Sequence, residues 1–214
     1  MRGITRTSFV LLALSLSIAA SGQVNPYRTI DGWAKLPEGR TWGSTSAIYP
    51  AADGRHIWVA ERCGANTCVG QDSVDPILLF DPEGNLVRSF GAGLVVWPHG
   101  IHVDPEGNVW IADARSARPN ELEQFPSAAG LGHQVIKFSP EGEVLLTIGV
   151  GGEAGDPPTH LTEPNDVITG PNGDIYVAES HSGQNRGAGP DTPARQFFPV
   201  RATRIQKITI KSIS

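Results

Sequence analysis

Apolar residues in this chain come in short bursts separated by polar turns. Ile57–Ala60, Ile77–Phe80 and Leu86–Phe90 are such bursts. Runs of this length, bounded by Gly, Pro, Asn and Asp, predict β-strands. Asp81–Asn85 lies between two of them and predicts a hairpin, because its glycine supplies the positive φ that a tight turn needs. Beyond the N-terminus no stretch sustains the apolar period of a helix.

The pattern repeats. Pro98–Asp113 reads as strand, turn and strand, ending in an acid, and Pro164–Glu179 has the same form. Ala47–Glu61 is a more degenerate copy. A second hairpin also recurs, with Ile77–Gly91 matched almost step for step by Val135–Gly149, and another start at Ile205–Ile208. The unit is one hairpin, a variable loop, a second hairpin and a Gly-rich exit. Four short strands per unit predict an all-β propeller in which each unit is one blade. Trp58, Trp110 and Tyr176 share one position of the repeat and are expected in the core. Asp53, Asp81, Asp104 and Asn172 are expected as turn formers.

About two and a half blades are legible between residues 46 and 214. Propellers typically close with roughly four to eight. An unclosed fan would leave sheet edges bare. The expectation is therefore a piece of a longer protein, with closure by self-association as the alternative. Residues 1–22 read as a secretory signal peptide. Arg2 and Arg6 precede an apolar run, Phe9–Ala20, of about 12 residues, which is too short to span a bilayer. An uncleaved anchor is the other reading. Residues 23–45 are polar and Pro/Gly-rich, but Trp33 and Trp42 predict that this segment packs on the propeller.

Removing Arg2 and Arg6 takes the formal charge from -5 to about -7. An acidic chain without a Lys/Arg block is a poor nucleic-acid binder, and no second apolar run is long enough to cross a membrane. Export to the periplasm or the medium makes a local Cys63–Cys68 disulfide the plain expectation. A zinc site there would need further ligands that the segment lacks.

The repeated phrase resembles the NHL repeat. A longer series of motifs in fixed order resembles peptidyl-α-hydroxyglycine α-amidating lyase: Trp97–Asp104, Val109–Asp113, Gly132–Phe138, Leu145–Gly149 and Glu163–Val167. The resemblance runs from about Ser44 to His181, and exported bacterial lyase-like propellers share the Ala60–Gly64 loop. It implies an NHL-type, six-bladed β-propeller that splits a peptidyl-α-hydroxyglycine into an amide and glyoxylate. It also implies a zinc ion held by histidines from several blades, and a structural calcium. His99 falls on the first zinc histidine. The backbone carbonyls of Ile101 and, in an uncertain register, Ala47 fall on calcium positions. Arg62 falls on the catalytic arginine, suited to a substrate carboxylate. His181 stands where the family has a catalytic tyrosine, and imidazole can also act as a base. Leu161 and Ser182 replace a cysteine pair of the animal enzymes. The remaining zinc histidines belong to later blades.

Plainer roles compete. His99 also suits a turn, and Arg62 a salt bridge to Glu61 or Asp113. Asp113 and Glu179 are expected to link blades. His102 is expected at the surface or in a loop contact, His133 in a hydrogen bond between strands and His56 in solvent, while His160 is given no role. Two further functions stand beside the lyase. One is a non-catalytic NHL propeller that presents a face to a protein or glycan. The other is a calcium-dependent lactonase of the gluconolactonase type, whose channel Glu and Asn ligands have no evident counterpart here. The lyase reading predicts a small hydroxylated carboxylate or a peptide as substrate.

Overall fold

A computed structural model describes residues 26–155 and 159–179, and the backbone of a strand at 204–208. The signal-peptide reading, His181 and Ser182 lie outside the described residues. Two compact units divide at Asp31 and Gly32. Of the first, the described residues 26–31 contain no strand or helix. Everything below concerns the second.

The strands are β1 (Thr45–Pro50), β2 (Ile57–Glu61), β3 (Ile77–Phe80), β4 (Leu86–Phe90), β5 (Pro98–Val103), β6 (Val109–Asp113), β7 (Gln134–Phe138), β8 (Val144–Ile148), β9 (Pro164–Thr169), β10 (Ile175–Glu179) and β11 (Arg204–Ile208). They form antiparallel meanders in the orders β1-β2-β3-β4, β5-β6-β7-β8 and β11-β10-β9. These are propeller blades, and the fold is all-β. A short α-helix, α1 (Pro119–Gln124), and a 3-10 turn at Pro126–Ala128 interrupt the loop between β6 and β7. A six-residue helix is too short to leave a periodic trace in the sequence.

The turns at one end are wired alike. In Asp81–Asn85, Asp104–Asn108, Ser139–Glu143 and Gly170–Asp174 the first N–H donates to the last carbonyl, and the glycine N–H donates to the first carbonyl. The glycines at 84, 107, 142 and 173 all have φ between +80° and +97°. Asp104 does more than form its turn. It also accepts the Trp110 indole N–H at 3.0 Å and pairs with Lys137 at 3.0 Å.

Apolar faces join neighbouring blades. Trp58, Phe90, Ile101, Val109 and Phe138 fill the first seam, with Phe90 5.3 Å from both Trp58 and Phe138. Trp110, Val135, Leu161, Val167 and Val177 fill the second. The far face of the first blade is covered by Trp33 and Leu36. Trp33 and Trp42 pack on Phe80 at 6.1 and 5.8 Å. The first strands β1, β5 and β9 lie side by side along the inner line of the fan.

Candidate functional site

The other end of the blades carries the long loops, and one acid per blade anchors them. Glu61, at the end of β2, accepts N–H donors from Gly43 at 3.0 Å and Gly64 at 2.9 Å. Asp113, at the end of β6, accepts from Val96 at 3.0 Å and Trp97 at 2.6 Å. Glu179, at the end of β10, accepts from Thr162. Each acid latches the segment leading into the first strand of its own blade, rather than tying one blade to the next. Asp113 is fully buried. Desolvation outweighs its hydrogen bonds and pushes its pKa up from 3.8 to about 7.

Just past each latch the ladder carries a bulge. The register skips Ser46 in β1, His99 in β5 and Asn165 in β9. An unpaired extra residue bends its strand and re-aims its side chain. The His99 Nδ1 lies 3.0 Å from the Asn165 carbonyl oxygen. A carbonyl only accepts, so Nδ1 carries a proton and donates this bond. Gly100 permits this approach: a Cβ there would stand 2.4 Å from the same oxygen.

Arg62 leaves the end of β2 and lies over the Trp97 ring, with its guanidinium carbon 3.6 Å from the centroid. Its Nε donates to the Pro98 carbonyl at 3.3 Å and its Nη1 to Asn66 Oδ1 at 2.9 Å. The Trp97 indole N–H donates to the Asn66 carbonyl at 3.0 Å. Asn66 sits in the small loop closed by the Cys63–Cys68 disulfide, so that cross-link fixes the frame around Arg62. The ring of His99 lies 5.5 Å from that of Trp97. Arg62 and His99, singled out separately in the sequence, thus meet on one indole.

The salt bridges considered for Arg62 do not form. Glu61 pairs with Arg40 instead, and Asp113 is taken up by backbone. Among the described residues no carboxylate lies within ion-pair distance of Arg62. Burial, then the nearby Arg115, lower its pKa, while Asp113 opposes them.

Other expectations change. His102 is not at the surface but is buried, because an inner strand has a blade on either side. Its ring meets Tyr49 edge-on at 5.1 Å, and its Nε2 accepts the Thr169 N–H at 3.3 Å. His133 is also buried and accepts the Glu163 N–H at 3.2 Å, tying two loops together rather than two strands. Ala47 pairs across from Ala60 as Gly100 does from Ala112. His56 pairs with Asp53 at its turn, and His160 lies 3.5 Å from Glu153.

Asn66, Trp97 and Asp166 were not singled out as site residues from the sequence. The carboxyl of Asp166 lies against the β5 backbone at Gly100. The residue is open to solvent as a whole, yet burial of the carboxyl pushes its pKa up, with His102 and His99 pulling the other way. As a metal ligand His99 fits through Nε2. Among the described residues, however, no group of three His, Cys, Asp or Glu side chains stands ready for an ion. No helix of the described residues is long and apolar enough to cross a membrane. The disulfide is compatible with a secreted protein.

No family model matches the chain. It is 29% identical to peptidyl-glycine alpha-amidating monooxygenase B of Xenopus laevis, over 60% of this chain and 14% of that protein. It is 28% identical to the probable peptidyl-alpha-hydroxyglycine alpha-amidating lyase pgal-1 of Caenorhabditis elegans, over 49% of this chain and 26% of that protein. With human NHL repeat-containing protein 3 it shares 27% identity, over 74% of this chain and 41% of that protein. The chain thus spans under half the length of each of these relatives.

Proposed function

We propose that Arg62, Trp97 and His99 are part of a site that cleaves a carbinol such as a peptidyl-α-hydroxyglycine into an amide and glyoxylate. One observation carries this reading. A buried guanidinium without a carboxylate partner among the described residues lies over an indole beside a histidine whose Nδ1 donates to the Asn165 carbonyl. The amidating-lyase relatives support the substrate class.

In the reaction the carbinol O–H gives up its proton and a C=O double bond forms. The C–N bond breaks, its electron pair goes to nitrogen, and nitrogen takes a proton. Arg62 holds the substrate carboxylate through charge-assisted hydrogen bonds. Its stacking on Trp97 and the Asn66 bond fix the guanidinium plane before substrate arrives, so little ordering is left to do on binding. His99 would be one ligand of a zinc ion, kept in the metal-binding tautomer by Asn165. Zinc, when bound, supplies a Lewis acid to the carbinol oxygen. Calcium takes oxygen ligands, and the carbonyls of Ile101 and Ala47 are what the inner strands would offer.

The test is glyoxylate release from N-benzoyl-α-hydroxyglycine, with metal content measured in parallel. Arg62→Ala should lower kcat/KM by about 100-fold, the scale of a lost charge-assisted contact to a carboxylate. His99→Ala should lower bound zinc. Unchanged turnover in Arg62→Ala would remove Arg62 from the site. A wild-type protein with neither turnover nor metal would leave the reading of a propeller that binds a partner without catalysis.

A further inference from the structure

The loop between β6 and β7 reaches back over this site. Its Ala117, Ala128 and Leu131 pack on Val69, Val96 and Trp97. Arg115 opens the loop, and its guanidinium carbon lies 5.7 Å from the centroid of the same Trp97 ring that Arg62 covers at 3.6 Å. Two like charges on one indole repel, which is why Arg115 is among the causes lowering the Arg62 pKa. Only one of the two has a counter-ion among the described residues. Arg115 Nη1 and Nη2 donate to Glu121 at 2.9 and 3.1 Å, and Nη1 also donates to the Ser116 carbonyl at 2.8 Å. Glu121 in turn accepts the Arg118 N–H at 2.7 Å. Arg115 Nε is buried and has no hydrogen-bond partner. A buried N–H left without an acceptor is costly, and an acid that displaces Glu121 would have this donor to satisfy as well.

Resting on the reading of Arg62 as a carboxylate holder, we propose that Arg115 is a second anion-binding residue and that the site selects a dianionic substrate. One carboxylate binds Arg62. A second acidic group, such as an acidic side chain next to the α-hydroxyglycine, binds Arg115 beside the same indole. Glu121 is then both the resting counter-ion of Arg115 and the competitor that an incoming acid must displace or share.

The opposed roles of Arg115 and Glu121 make the proposal testable. Binding of succinate and of acetate is followed by calorimetry and by Trp97 fluorescence. Turnover is compared for N-acetyl-aspartyl- and N-acetyl-alanyl-α-hydroxyglycine. Succinate should bind at least about tenfold tighter than acetate, the scale of one added charge-assisted contact. Arg115→Gln should abolish that preference. Glu121→Gln should strengthen succinate binding by removing the competitor. If the pair only holds the loop in place, both substitutions weaken both ligands in the same direction, and the proposal is overturned. Equal affinity of succinate and acetate in the wild type overturns it as well. Should Arg115→Gln fail to fold, Glu121→Gln decides through the ratio of succinate to acetate affinity: loss of a nearby negative charge strengthens both ligands alike, and only a freed Arg115 raises the ratio, so an unchanged ratio overturns the proposal.

The two readings fail separately. Selective succinate binding without turnover of either peptide would sink the lyase reading and leave the paired-arginine site standing. Turnover with no preference for the aspartyl peptide would do the reverse.

Discussion

The two ends of the blades are built on different rules. At the turn end, four loops of the same length use the same two backbone hydrogen bonds and a glycine at positive φ. At the opposite end the loops among the described residues differ. One carries a disulfide and another a helix, and together they hold Arg62, Asn66, Trp97, His99 and Arg115. Repetition at one end and divergence at the other mark the frame and the site. Stability rests on the seams between blades and on repeated turns. Chemistry rests on a few polar contacts between loops that are distant in sequence.

That contrast can be broken from either side. The largest effect should come from the seam. Phe138→Ala removes a fully buried ring that packs on Phe90 and should cost about 3–5 kcal/mol in urea unfolding. The variant that remains folded should bind succinate as the wild type does, and a parallel loss of binding would show that frame and site are not separable. Gly100→Ala attacks the other side. Its Cβ would clash with backbone at 2.4 Å, so the strain should cost about 1–3 kcal/mol. Its distinguishing result is loss of zinc binding, because the Asn165 contact that sets the His99 tautomer is pushed away. Retained metal would separate the tautomer from the ligand role.

The double change Cys63→Ser and Cys68→Ser opens a short loop and should cost about 2 kcal/mol. Binding through Arg62 should weaken more than global stability does, since Asn66 loses its frame. The smallest effect is a pH trend. Asp113 has a folded pKa of about 7, raised from 3.8. Between about pH 4 and 7 the folded state therefore holds a proton that the unfolded state has released. Its contribution is fullest below the unfolded value and is lost as pH rises through 7. The wild type should lose stability from pH 5 to pH 8 relative to Asp113→Asn. Parallel curves would mean that Asp113 is ionised throughout.

The frame was legible in the sequence and the site only partly so, for a physical reason. A turn is a local event. Gly84 in Asp81–Asn85 declares its conformation within five residues, and four such turns declare a repeat. The stacking of Arg62 on Trp97, or of Arg115 near it, depends on how three loops fold back together, and no local pattern encodes that. One misreading has a simple cause. Alternation presumes a wet face for His102, whereas β5 lies between the inner strands β1 and β9. In Pro98–Gly100 the glycine is needed for the close approach to the Asn165 carbonyl.

The acids Glu61, Asp113 and Glu179 have a consequence for how such a protein can change. Each fastens the way into its own blade with its carboxylate, so the strands do not depend on the loops alone for their register. Lengthening a loop by a factor of two adds only about 0.6 kcal/mol of closure entropy. The stretch between Asp113 and Gln134 can therefore be exchanged for one of foreign length and composition while the strands on either side keep their register. The blade is a socket, and specificity is what is plugged into it.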